Sequence, residues 1–309
     1  MAPPTLLAVP NVSEGRDRET IAAIGAAFVD GAADRVRLLD VHSDGDHHRS
    51  VFTIAARPGD LADALLRGIR VAVERIDVVT RASTRDPTRA GQHPHVGAVD
   101  VAPLVYLDHA TLGAACAEAL VVADRIGEEL DVPVLIYGEL SGSDADSERT
   151  RAQLRRGGIS RLAARMAGGE DCVTPDFGPP RMHPSAGATL VACRAPLVAF
   201  NLQLAPPASA ADARRIAALI REQGSEGLPG VRAIGIALAG EVAQVSMNVE
   251  RPLEISLAMI VEAVRSHAVV ASAELVGLAP AAALEGFPQD IPIAGFDPAR
   301  HLIENALGC

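Results

Sequence analysis

A chain of 309 residues, 49% hydrophobic and 22% charged, is long enough to bury one large core or two modest ones, and it holds no apolar run of the roughly eighteen residues a membrane span needs. Its net charge of −11 argues against a nucleic-acid partner, because neutralising phosphates takes a basic face. All 28 basic residues are arginine, which excludes a lysine Schiff base and a P-loop lysine and leaves anions to arginine forks or backbone N–H groups.

Thr5–Val9 reads as a short strand, Pro10–Arg18 as a polar turn and Glu19–Phe28 as an apolar-periodic helix. Strands at Val36–Val41 and Ser50–Ala56, a helix from Leu61 to Ile76 and a strand at Val99–Leu107 follow. An extra helix at Gly113–Leu130 and a strand at Val132–Tyr137 come next. Further on, Leu197–Leu204 reads as a strand and Ser209–Gln223 as a helix that Ser209 can cap. Strands at Val231–Leu238 and Ala243–Val249, a helix from Leu253 to His267 and a strand at Val269–Val276 complete the second half. Both halves therefore read β-α-β-β-α-β. The expected fold class is α/β (α+β): two subdomains, 1–192 and 193–309, each a split-βαβ-like sheet with helices packed on one face. Between them the Gly- and Pro-rich stretch Gly168–Gly187 reads as an ordered segment crossing the seam, since Phe177 and Met182 are too apolar for a solvated linker.

Cys116, Cys172, Cys193 and Cys309 form no CxxC pair, so zinc ribbons, iron–sulfur sites and a disulfide framework are not indicated, and Cys116 and Cys193 read as core positions. No basic region opens the chain, so a signal peptide is not expected and the cytoplasm is the default location.

Three polar clusters can carry chemistry. Gly91-Gln92-His93-Pro94-His95-Val96-Gly97 ends an irregular stretch and leads into a strand, and histidine is the side chain best suited to exchange protons near neutrality. Asp44-Gly45-Asp46-His47-His48-Arg49 joins two strands. Consecutive residues of a strand point to opposite faces, so His47 and His48 are poor joint ligands and no metal is expected. In Pro10-Asn11-Val12-Ser13-Glu14-Gly15-Arg16-Asp17, Ser13 or Asp17 can cap the helix that follows, and free N–H groups there would suit an anion. GxGxxG after the first strand, GxSxG and HExxH are all missing from the sequence.

Taken together, Val9-Pro10-Asn11-Val12-Ser13-Glu14-Gly15, Leu38-Leu39-Asp40-Val41, His93-Pro94, Gly97-Ala98-Val99-Asp100 and Val132 to Glu139 resemble the glutamate formiminotransferase family in order and spacing. Pro175-Asp176-Phe177-Gly178-Pro179, Gly187-Ala188-Thr189, Ala199-Phe200-Asn201, Ala243-Gln244-Val245-Ser246 and Leu275-Val276-Gly277-Leu278 continue the match, and too few residues follow Gly277 for the cyclodeaminase domain fused in some members. The resemblance implies two subdomains with a folate tunnel between them, a homodimer, and formimino transfer from N-formimino-L-glutamate to tetrahydrofolate, a step of histidine degradation and one-carbon metabolism. Tetrahydrofolate is then a co-substrate, with no metal, no nucleic acid and no membrane involved. His93 maps to the family's catalytic histidine. The folate-contacting loop maps to Gly178, Pro179, Pro180, Arg181, Met182, His183, Pro184, Ser185, Ala186 and Gly187, whose glycines allow close approach of backbone to ligand. Asn11, Glu14, Gly15 and Arg49 are the candidate substrate anchors. The chain departs from the family pattern at Gln92, His95, His48 and His42. Those departures also admit a folate-binding member that has lost activity or takes another amidine donor.

Overall fold

The computed structural model describes residues 5–32, 34–83, 95–142 and 149–308. The chain divides into two units, 1–194 and 195–309. In the first, strand β1 (Leu6–Ala8) continues past Pro10 as β2 (Asn11–Val12), and the two pieces share one position between β4 (Arg49–Ala56) and β5 (Val99–Tyr106). Pro10 cannot donate to the ladder, which separates the pieces, yet its carbonyl still accepts from Phe52 N–H at 3.0 Å. The polar turn read at Pro10–Arg18 thus begins with two residues of strand. Strand β3 (Val36–Asp44) pairs antiparallel with β4.

Helices α1 (Arg18–Val29), α2 (Leu61–Arg75) and, beyond the short α3 (Val78–Ser83), α4 (Leu112–Leu130) cover one face of this sheet. Their apolar stripes, among them Ile24, Phe28, Leu65, Ile69 and Ile126, bury against Leu6, Phe52, Ile54 and Leu104. Phe28 meets Phe52 edge to face at 5.3 Å, and each such side chain contributes about 1.5–3 kcal/mol on burial. Asp60 makes no cap hydrogen bond to α2, and the buried Glu118 of α4 does that work, accepting from Ala62 N–H at 2.8 Å and from Gly59 N–H.

Strand β6 (Val134–Ile136) lies at the sheet edge, and β7 (Thr189–Arg194) inserts between β5 and β6, parallel to both. The other face of these three strands is covered by α5 (Arg151–Arg155) and α6 (Gly158–Met166), whose Leu154 and Leu162 pack with Val101, Leu135 and Leu190. These two short helices and β7 were not read from the sequence.

In the second unit, β8 (Val198–Leu204), α7 (Ala210–Ile220), β9 (Val231–Ala237), β10 (Ala243–Val249), α8 (Leu257–Arg265) and β11 (Val270–Val276) form an antiparallel sheet of order β11-β8-β10-β9 with its helices on one face. Ser209 caps α7 in a reciprocal box with Asp212. Helices α9 (Pro298–His301) and α10 (Ile303–Leu307) follow. The corresponding order in the first unit is β3-β4-β1-β5, so both halves share the split-βαβ arrangement expected from the sequence.

The stretch 168–187 does not link the two units. It lies inside the first and leads into β7, which corrects the reading of it as a crossing segment. Phe177 exchanges backbone hydrogen bonds with Val134, and Asp176 accepts from Ile136 N–H at 2.7 Å while ion-paired to Arg149 at 2.6 Å. Order was expected of this segment; its place in the chain was not.

Candidate functional site

Four sequence-remote segments of the first unit meet at one end of β5. Gly97 pairs with Gly187, Ala98 N–H donates to Ala186 O at 2.8 Å, and Ala188 N–H donates to Val96 O at 3.0 Å. A Cβ on Gly97 would sit 1.9 Å from Ala188 O, and one on Gly187 (φ +75°) would sit 2.4 Å from Val96 O. The close approach these glycines permit is therefore to the chain's own backbone. At the same place Ser13 donates through Oγ to Gly97 O at 2.7 Å and through N–H to Ala98 O at 2.8 Å, and Val78 and Val79 of α3 donate to Ser185 O. The segment carrying the expected folate loop is thereby joined directly to the strand that follows the His-Pro motif. Gln92, His93 and Pro94 themselves lie outside the described residues.

Glu14 is the electrostatic centre of this junction. Its buried carboxylate accepts from Arg16 and Asp17 N–H at 2.9 and 3.1 Å and from Arg81 of α3 at 3.0 Å, and it lies 3.3 Å from His48 Nδ1. Burial alone would raise its pKa, but these N–H groups, with the charge of Arg81, hold it below the ordinary value. His48 is buried at φ +52°, and its Nδ1 accepts Gly15 N–H at 3.1 Å, so the neutral ring carries its proton on Nε2. Burial, followed by the charge of Arg81, pushes its pKa down to about 4.

This geometry revises two expectations. The N–H groups of Ser13, Gly15, Arg16 and Asp17 are all taken by internal acceptors, and Asp17 caps α1 through Glu19 and Thr20, so the loop is not an open anion nest. Asn11 likewise spends its amide on Val9 O at 2.9 Å. His47 and His48 occupy the turn between β3 and β4 rather than strand, so the alternation argument does not apply to them. His47 N–H instead donates to Asp44 at 2.9 Å. Among the described residues no group of three or more His, Cys, Asp or Glu is placed to hold a metal ion.

Because His48 binds a proton more weakly folded than unfolded, stability is full above about pH 6.5 and falls as pH drops toward 4, by up to about 1.4 kcal/mol per unit. Glu14, also depressed, adds a loss of the same sign below its ordinary pKa of 4.5. His48→Asn suits the positive φ, offers Gly15 an acceptor and removes the titrating ring. The variant should show a shallower fall in melting temperature between pH 6.5 and 4.5; slopes matching wild type would refute the assignment.

Arg49 opens β4 opposite Asp44 and shares a sheet face with Val51 and Thr53, away from the main core. Burial, with Arg155 nearby, lowers its pKa to about 10, so it stays cationic at neutrality. Asp100 is fully buried and accepts from Val96 N–H at 3.0 Å and from both Nε (3.2 Å) and Nη2 of Arg155 on α5. The register of β5 against β2 shifts between Val99 and Val101, and the bulge re-aims Asp100 toward α5. Asp100 was quoted in the sequence only as part of a motif, and Arg81 and Arg155 carried no role there, because nothing local in the sequence marks an arginine that folding will bury.

In the expected folate loop, His183 exchanges backbone hydrogen bonds with Gly187, and its Nδ1 accepts from Ala186 N–H at 2.9 Å. Burial lowers the pKa of this ring, so it is neutral at physiological pH. Met182 packs against both cores of the unit, and Arg181 pairs with Asp131 at 3.0 Å in solvent. No described helix is long and apolar enough to cross a membrane.

Residues 5–194 match the formiminotransferase domain, N-terminal subdomain. The chain is 32% identical over 306 residues to a glutamate formimidoyltransferase of Streptococcus pyogenes serotype M1, covering 97% of each. It is 32% identical over 282 residues to a glutamate formimidoyltransferase of Thermoplasma acidophilum, covering 89% of this chain and 88% of that one. With the formimidoyltransferase-cyclodeaminase of Gallus gallus it shares 35% identity over 287 residues, 89% of this chain but 50% of that longer protein. The domain match ends where the first unit ends, the likeness runs nearly end to end, and the chain belongs to the formiminotransferase family.

Proposed function

We propose that this protein is a glutamate formimidoyltransferase, moving the formimino group of N-formimino-L-glutamate to tetrahydrofolate to give 5-formiminotetrahydrofolate and glutamate. The observation that carries this reading is likeness along 97% of both chains to a protein of that name. The folate nitrogen attacks the amidine carbon, a tetrahedral intermediate forms, and the glutamate nitrogen leaves. His93 takes the proton from the attacking nitrogen and returns it to the leaving one, so the protons balance with no other reactant. The Gly178–Gly187 segment lines the folate side, supported by its backbone union with Val96–Ala98, which ties folate position to the histidine segment. Glu14 is an anion held by Arg81 and suits the cationic amidinium better than a carboxylate, whereas the cationic Arg49 suits the donor's carboxylates.

We further propose a homodimeric enzyme, as the resemblance set out above implies, located in the cytoplasm. The departures from the family pattern at Gln92, His95, His48 and His42 keep the alternative of another amidine donor, or of folate binding without turnover, in the test. Purified protein incubated with tetrahydrofolate and a panel of formimino amino acids should yield 5-formiminotetrahydrofolate by mass spectrometry, fastest with formiminoglutamate. Faster product with another donor selects the alternative; folate binding without product with any donor removes the transferase reading.

A further inference from the structure

Strand β10 sends Ala243, Val245, Met247 and Val249 into the core of the second unit, beneath its helices. Side chains alternate along a strand, so Gln244, Ser246 and Asn248 stand on the opposite face of the sheet. Register extends that face to the neighbouring strands. Gln203 of β8 and Ile236 of β9 lie directly opposite Gln244, and Asn201 and Ile234 lie directly opposite Ser246. On β11, Ser272 is opposite Gln203 and Glu274 is opposite Asn201. The second unit therefore carries a polar sheet face bordered on β9 by two isoleucines, of which Ile234 is 46% exposed.

Two pairs on this face are bonded to each other. Ser272 donates through Oγ to Gln203 Oε1 at 3.0 Å, and Asn201 donates through Nδ2 to Glu274 at 2.8 Å. Gln244 differs. It is 0% exposed, and neither Nε2 nor Oε1 of its amide has a hydrogen-bond partner among the described residues. A buried amide unsatisfied at both ends destabilises a fold, and an apolar side chain of similar shape would not. Gln203 and Ser246 beside it are only half-buried, and a turn about the outer torsions of Gln244 carries its amide to their surface.

A carboxamide presents one donor beside one acceptor, and the edge that matches it is the adjacent N–H and C=O of a lactam. Ile234 and Ile236 supply an apolar strip for a flat ring along the same row. Charge on the face suits a neutral ring better than a phosphate: Arg232, at the end of β9 opposite Asn248, is ion-paired with Glu222 and Glu250.

We propose that Gln244 is a binding residue for the lactam edge of a planar heterocycle, its carboxamide forming two parallel hydrogen bonds with the ring N–H and C=O. Two sources carry that edge, the pterin of a folate and a guanine base, and the neutral character of the face favours the pterin. Naming the pterin rests on the transfer reaction proposed above, whereas the lactam site itself does not. Gln244 thereby sets which ring is held and takes no part in bond making.

Calorimetric titration of tetrahydrofolate, its 3-N-methyl derivative and guanosine monophosphate into the full chain, as wild type and as Gln244→Met, tests this. Wild type should bind tetrahydrofolate about tenfold more tightly than the N-methyl compound, which lacks the lactam N–H. Gln244→Met should weaken tetrahydrofolate about tenfold and erase that preference, because the variant has no amide to read the edge. Guanosine monophosphate binding in place of tetrahydrofolate, with the same loss in the variant, keeps the lactam site and assigns it to a nucleotide. Gln244→Met should also melt at or above the wild-type temperature, since it removes an amide that makes no bond. A glutamine satisfied inside the fold predicts the reverse, so a variant that melts more than about 5 °C lower, or does not fold, overturns the proposal. Wild type that binds tetrahydrofolate and its N-methyl derivative equally, or binds none of the three ligands, overturns it as well. Lactam-dependent binding in a protein that yields no transfer product with any donor upholds the site while the transfer reading fails.

Discussion

His93→Ala is expected to lower the transfer rate by about 10²–10⁴ while leaving folate affinity within a few-fold. Exchange of one carbon between two amines requires a proton to leave the attacking nitrogen and another to reach the departing one. A group whose pKa is near the working pH does both, and imidazole is the side chain that meets this without perturbation. Two other histidines at the junction are poorly suited to the role. His48 is driven to a pKa of about 4 by burial and Arg81, and its Nδ1 is occupied by Gly15. His183 is lowered by burial and bound to its own loop. Folate affinity should survive because the Gly178–Gly187 segment is anchored through backbone to Val96–Ala98 and not through the imidazole. Single-turnover rates measured beside folate titrations separate the two effects. Activity of His93→Ala within threefold of wild type would take His93 out of the mechanism.

Asp100→Asn should destabilise the protein by about 3–5 kcal/mol, because it leaves the buried Arg155 without its counter-ion. The asparagine still offers an oxygen to Val96 N–H, so the loss reports charge rather than the hydrogen bond to the loop. Arg49 adds to the cost, since Asp100 also offsets part of its charge. At roughly 2–4 °C per kcal/mol for a chain of this order, the melting temperature should fall by about 10 °C. Replacing the pair together, Asp100→Leu with Arg155→Met, should recover much of the loss, because two well-packed apolar side chains leave no buried charge. A drop of under 2 °C for Asp100→Asn would show that the pair is dispensable.

Local pattern in the sequence was enough to reveal the alternating strands and amphipathic helices of both halves, including the Ser209 cap and the shared β-α-β-β-α-β order. Burying an apolar face imposes a period on the sequence itself, so each such element is visible without knowing its neighbour. The ordered motifs from Val9 to Leu278 likewise brought the family into view. Short elements were not legible: β2 has two residues, and α5 and α6 have five and nine. They are stabilised by partners distant in sequence, such as Val99 for Val12, Asp100 for Arg155 and Leu190 for Leu154. The site depended on tertiary structure for the same reason. A carboxylate such as Glu14 looks like a free anchor until folding brings Arg81 and His48 against it, and Gly187 looks poised for a ligand until Val96 arrives. Whether a polar group is spent or available is decided by long-range pairing, which leaves no period in the chain and is settled only when the sheet closes around β5.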